Sequence, residues 1–148
     1  MNNGKNLIVS IGNILRGDDG IGKSVLDFIK KDLCDFDSIC LLQILPEDLL
    51  DFSKYNNIFI VDADETVEKG EVFLKDISEI DGEGSLLHGI DLIDLYQLGL
   101  KTGYIKGKWY IVAIGAKNFQ FREELSDELR ENLTKIASKV IEICKSHI

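Results

Sequence analysis

The chain lacks the marks of a disulfide-bonded, membrane-spanning or nucleotide-binding protein. Its three cysteines, Cys34, Cys40 and Cys144, form no CxxC pair. An odd count without that spacing excludes a disulfide framework or a zinc ribbon and points to a reducing compartment. Cys40 sits in the apolar run Ile39-Cys40-Leu41-Leu42 and is expected to be a small core residue. No apolar stretch approaches the roughly 18 to 20 residues that span a bilayer. Met1 to Lys5 lead into a strand-like run without the apolar core or cleavage site of a signal peptide, so a soluble, cytoplasmic protein is expected. Positive charge is scarce, with 17 Lys and Arg against 26 Asp and Glu and a net charge of −9. That balance argues against nucleic acid or an anionic membrane as the main partner and suits a cation or a basic or neutral segment. A GxSxG elbow, an HExxH helix and a GxGxxG fingerprint are all missing. A hydrolase built without them must use a metal-held water or paired carboxylates.

What is present, in 148 residues, is an alternation of strand and helix patterns. Leu7 to Ile11 reads as a buried strand, and Ile21 to Leu33 repeats apolar residues at helical spacing. Ser38 to Leu45 is a second strand, followed by a short helix opened by Pro46. Asn57 to Asp62 and Glu71 to Leu74 read as further strands, then Gly89 to Leu100 as a leucine-rich helix and Trp109 to Ile114 as a strand. Ser126 to Cys144 is predicted as one amphipathic helix with Ser126 as its N-cap. The pattern predicts one three-layer α/β domain over residues 1–148 with a mostly parallel sheet. The sheet is expected to be mixed, because the strand at Glu71 follows its predecessor without a helix between.

The chemistry gathers where strands end. The stretch from Gly12 to Gly22 (Gly-Asn-Ile-Leu-Arg-Gly-Asp-Asp-Gly-Ile-Gly) forms a tight loop between the first strand and first helix. Its glycines allow sharp turning and close approach, but Asp18 and Asp19 stand where a phosphate would need amides or a cation. Asp62 and Asp64 follow another strand, and His88 precedes a helix. Loops after neighbouring parallel strands converge on one sheet edge. Two carboxylates and a histidine there make a two-oxygen, one-nitrogen ligand set with open positions, suited to nickel, zinc or a facial iron site. The same aspartates would also serve as ordinary caps of helices and turns, and that reading stays open. His147, at a helix end, is not expected to function.

These residues resemble the hydrogenase maturation proteases. The stretch from Gly12 to Gly22 is similar to the family's N-terminal signature, and Ile60-Val61-Asp62-Ala63 followed by Lys69-Gly70-Glu71-Val72 resembles its "VDA … PGE" segment, with Lys69 in place of proline. Ser85-Leu86-Leu87-His88 is similar to the family's Ser-histidine element. Phe121 to Ser126 resembles the run that introduces the last helix, with Glu124 where glycine is common. The resemblance implies an α/β/α sandwich with a mixed, mostly parallel five-stranded sheet. It implies Asp19, Asp62 and His88 as metal-contacting and catalytic residues, with Asn13 and Asp18 shaping the loop against the substrate. The implied activity removes a C-terminal extension from the large-subunit precursor of a nickel–iron hydrogenase. The cut follows a Cys-x-x-Cys-x-x-His/Arg motif, after nickel insertion, with the nickel belonging to or shared with the substrate. Ile44 and Leu45 stand where many members carry a glycine pair, which predicts a different wall to the substrate cleft.

Three rivals remain. A dinucleotide-binding module fits poorly, because Asp18 and Asp19 would repel a pyrophosphate. A non-catalytic nickel sensor or carrier would use the same three ligands. A paired-aspartate hydrolase using Asp19 and Asp62 would share one proton between them and dispense with His88.

Overall fold

The computed structural model describes residues 5–80 and 89–148. Among them, β1 (Asn6–Ile11), β2 (Phe36–Leu41), β3 (Asn57–Asp64), β4 (Val72–Asp76) and β5 (Lys108–Gly115) form one sheet in the order β2-β1-β3-β5-β4. The pairs β1–β2, β1–β3 and β3–β5 are parallel, and β4 runs antiparallel to β5. The expected mixed, mostly parallel sheet is therefore present. The helices are α1 (Ile21–Ile29), α2 (Asp48–Phe52), α3 (Gly89–Thr102), α4 (Asp127–Glu131) and α5 (Leu133–Lys145).

The three layers follow from the side-chain period of the central strands. Ile8, Phe59, Val61, Tyr110 and Val112 face one way and pack with Val25, Leu26 and Ile29 of α1 and Ile136, Ala137 and Val140 of α5. Leu7, Val9, Ile58, Ile60 and Ile111 face the other way, against Leu49 and Phe52 of α2 and Leu92, Leu95 and Tyr96 of α3. Both faces are covered, so β1, β3 and β5 are buried at nearly every position and carry mostly apolar residues, as buried parallel strands do. Truncating a fully buried member such as Ile60 or Ile111 to alanine should cost about 2–5 kcal/mol. Among the described residues no helix is long and apolar enough to cross a membrane.

Several expectations are corrected. β2 lies at the sheet edge, so Cys40 is exposed, as is Cys34, and only Cys144 is a core thiol. β2 also ends at Leu41, where the pairing with β1 stops opposite Ile11, and Leu42 to Leu45 leave the sheet. Pro46 precedes α2 instead of opening it; the side chain of Asp48 reaches back to accept from the Leu45 amide at 2.8 Å. α1 stops at Ile29 and passes into a 3-10 turn, Lys30–Asp32. The last helix is divided at Asn132, whose side-chain amide donates to the Glu128 carbonyl at 2.7 Å, a local bond of the kind that competes with helix propagation. β3 runs through to Asp64, so Asp62 and Asp64 belong to the strand end and not to the loop after it.

Candidate active site

The loop after β1 carries the centre of the site. At Gly12, φ is +146° and an added Cβ would lie 2.1 Å from the Asp19 carbonyl oxygen, so only glycine lets the chain close on itself here. The Asn13 side chain accepts from the Leu15 amide at 2.9 Å, an Asx turn, while the Asn13 backbone amide donates to Asp19 Oδ2 at 2.7 Å. The Asp19 amide in turn donates to the Arg16 carbonyl at 3.1 Å. Asp19 is 6% exposed, and its second oxygen makes no hydrogen bond among the described residues. It lines a cleft of about 440 Å³ with Gly12 to Leu15, Lys23, Cys40 and Leu42. The Lys23 ammonium is held above its ordinary lysine range by its hydrogen bond to Asp27, at 2.6 Å. A second hollow, about 350 Å³, adjoins the first at Ile11 and lies between Gln43 to Pro46 and Leu92, Asp94, Leu95 and Leu98 of α3. Ile44 and Leu45 thus supply an apolar wall where a glycine pair would leave an open one.

Asp18 points the other way. It is wholly buried, and it accepts from the Ser126 amide at 2.7 Å, the Ser126 hydroxyl at 3.0 Å and the Asn118 amide at 3.2 Å. Lys69 adds an ion pair at 3.8 Å. The backbones lock in parallel, with Gly17 donating to the Arg122 carbonyl and Asp18 to the Asn118 carbonyl, both at 2.7 Å. Gly17 has φ +58°, and a Cβ there would come within 2.7 Å of the Asn118 carbonyl oxygen. No part of the Asp18 carboxylate reaches solvent, and its bonds fasten the loop after β1 to the 116–126 segment. Ser126 does stand at the N-cap position of α4, but its hydroxyl serves Asp18 and makes no capping bond. Nothing in the sequence flags Asn118 or Lys69 as partners of a residue so distant along the chain.

β3 brings the other carboxylates. Asp62 and Asp64 continue the face of Ile58 and Ile60 toward the C-terminal edge, and both are buried. The 3-10 turn carrying Asp19, Gly17–Gly20, packs against β3, and a Cβ on Gly22 would lie 3.2 Å from the Val61 carbonyl oxygen. Asp64 Oδ1 accepts from the amide and hydroxyl of Thr66, at 2.8 and 2.6 Å, closing the turn that follows; its Oδ2 is buried without a hydrogen-bond partner among the described residues. His88, with Ser85 to Leu87 of the same motif, lies outside the described residues. Among those described, no group of three or more His, Cys, Asp and Glu side chains is placed to hold a metal ion. The described part of the site offers hard oxygen donors, Asp19 facing the cleft with Asp62 on the adjacent strand end.

No protein-family model matches the chain, and no curated protein matches it in sequence. Its fold matches solved structures across nearly its whole length. The hydrogenase maturating endopeptidase HybD from E. coli superposes with a TM-score of 0.78 at 17% identity, covering 96% of this chain and 93% of that one. The [NiFe] hydrogenase maturation protease HybD from Thermococcus kodakarensis gives 0.70 at 21% identity, over 95% and 99%. The [NiFe] hydrogenase maturation protease HycI from Thermococcus kodakarensis KOD1 gives 0.69 at 24% identity, over 95% and 92%. This chain shares the fold of those proteins.

Proposed function

We propose that the chain is a cytoplasmic endopeptidase of the hydrogenase maturation protease type, removing the C-terminal extension of a nickel–iron hydrogenase large-subunit precursor once nickel is in place. One observation carries the reading above the shared fold. Asp19 is almost wholly buried, held through one oxygen by the Asn13 amide, and its other oxygen makes no hydrogen bond among the described residues, beside a cleft of about 440 Å³. A carboxylate fixed in this way is ready to meet a cation or a reacting water without first reorganising.

Nickel belongs to the substrate in this reading. Asp19 and Asp62 supply oxygen donors and His88 the nitrogen donor of a set that is completed only when the precursor arrives. An empty precursor lacks the anchor and is discriminated against by the difference in affinity. The metal would supply positive charge able to polarise the scissile carbonyl or lower the pKa of a water. The rest falls to this chain's own residues. Hydrolysis places a water oxygen on the carbonyl carbon and delivers one of its protons to the departing amide nitrogen. A carboxylate at the edge of the cleft can hold that proton in transit, and Asp19 has an oxygen without a hydrogen bond among the described residues to do so. Asn13 fixes the Asp19 rotamer through its backbone and shapes the turn that borders the substrate.

A processing assay with the precursor, loaded with nickel or left empty, tests the reading. Shortening of the loaded form alone is expected. A loaded precursor that binds yet stays intact would replace the endopeptidase with a nickel sensor or carrier.

A further inference from the structure

Arginine is rare in this chain, and all of it is in one place. Arg16 is in the loop after β1, Arg122 in the 116–126 loop and Arg130 in α4; lysine supplies the remaining positive charge. Arg130 is engaged by Asp127 and Glu124, and Arg122 lies 3.6 Å from Glu124. Arg16 is exposed and makes no ion pair among the described residues. Arg16 and Arg122 stand side by side in an isolated parallel bridge. Around them Phe121 is 83% exposed and Leu42 is 68% exposed, with Ile14 and Leu15 also exposed. Ile14, Leu15 and Leu42 share the rim of the cleft that Asp19 lines, and the Gly17–Arg122 backbone bond carries Phe121 to the same edge.

An apolar residue in water needs no explanation when it stands alone. Here Ile14, Leu15 and Leu42 line one cleft and Phe121 adjoins the Arg16–Arg122 bridge at its edge, and clustered apolar groups of that kind mark interaction sites. Aromatic residues and arginine are also the types enriched at protein–protein interfaces, where lysine is depleted. The charge adds direction. In a chain of net charge −9, Arg16 gives this rim a cation with no ion pair among the described residues, while Arg122 is already paired with Glu124. A partner with an apolar patch edged by a carboxylate complements the exposed Phe121 and Leu42 and the Arg16 guanidinium.

We propose that the surface formed by Ile14, Leu15, Arg16, Leu42, Phe121 and Arg122 docks the folded body of the substrate protein, so that the tail to be cut is delivered into the cleft beside Asp19. The proposal rests on the endopeptidase reading and adds to it the surface and the chemistry of its partner. Docking through side chains that do not touch the bond that breaks strengthens the ground state and transition state alike, so its loss raises KM and leaves kcat in place.

The test is steady-state processing of the nickel-loaded precursor by the intact chain and by a Phe121→Ala/Arg16→Glu double variant. Both side chains are exposed, and the bonds that join the two loops at this point are backbone to backbone, so the variant should fold; its circular dichroism checks that. KM is expected to rise about tenfold or more with kcat within about twofold. Lys145→Glu makes the same charge change at an exposed site on α5 and is expected to leave both constants unchanged. An unchanged KM in the double variant overturns the docking surface while leaving the endopeptidase intact. The same holds if the substitutions convert a dimer of this chain to monomer without moving KM, which would assign the patch to a second copy. Failure of the unsubstituted chain to process any loaded precursor removes the endopeptidase reading and this proposal with it.

Discussion

On one flank of the loop after β1, Asp18 accepts three hydrogen bonds and an ion pair and has no contact with water. On the other flank its neighbour Asp19, which lines the cleft, accepts one hydrogen bond among the described residues. Two adjacent residues of one type therefore do different work, and the difference lies in how completely each is satisfied. The saturated carboxylate fastens the loop to the 116–126 segment. The fastening holds the unsaturated one in place, so that the site's geometry is set before a substrate arrives. A floppy loop would place Asp19 less accurately, and catalytic groups tolerate little misplacement.

Exchanging the fates of these two residues should separate activity from stability. Asp19→Ala is expected to lower processing of the loaded precursor by about a thousandfold or more while Tm moves by no more than about 2 °C. Cleavage retained in that variant would take Asp19 out of the mechanism. Asp18→Ala should do the reverse in thermodynamic terms. It strands the Ser126 and Asn118 amides and leaves Lys69 with Glu128 as its remaining carboxylate partner, and should cost about 2–4 kcal/mol, read as a fall in the urea midpoint. A midpoint equal to that of the unsubstituted chain would show that the latch is not structural. Gly17→Ala attacks the same flank through the backbone. Its positive φ and the close Asn118 carbonyl predict a loss of about 1–3 kcal/mol, with processing reduced in proportion to the displaced loop.

The same contrast explains what was legible in the sequence. The sheet and its two apolar faces were readable from Leu7 to Ile11, Asn57 to Asp62 and Trp109 to Ile114, because buried parallel strands carry continuous apolar runs. The Asp19 loop was readable because glycines and carboxylates fall between a strand and a helix. The partners that let Asp18 shape the loop were not, because Asn118 and Ser126 lie about a hundred residues away and their identities alone announce nothing. Cys40 was misread for a related reason. Its neighbours Ile39 and Leu41 are apolar, but strand order decides which strand is the edge, and order is set by tertiary pairing. The break at Asn132 was hidden because an asparagine side chain within a helical pattern shows its competing bond only in the folded chain.

The cysteines extend the comparison to the smallest effect. Cys40 lines the open cleft, whereas Cys144 is sealed in the core between α5 and the sheet. A thiol reagent should modify Cys34 and Cys40 in the native chain and reach Cys144 only on unfolding; prompt labelling of all three would contradict the sealed core. Alkaline titration reads the same burial. Desolvation pushes the Cys144 thiol up from 9.0 to about 12. Burial, with the hydrogen bond to Asp37, pushes the Tyr55 phenol up to about 12. Groups with raised folded pKa values hold their protons in the native state after the unfolded chain has released them. Their contribution is complete below the unfolded pKa and declines as the pH rises toward the folded one. Stability should therefore hold below about pH 9 and decline between about pH 9 and 12. Cys144→Ala starts from a lower stability, because it removes a buried sulfur, but should lose less on going from pH 8 to pH 11 than the unsubstituted chain. Equal losses in the two proteins would mean that the thiol is not shielded from water as the core around Val140 and Ala137 requires.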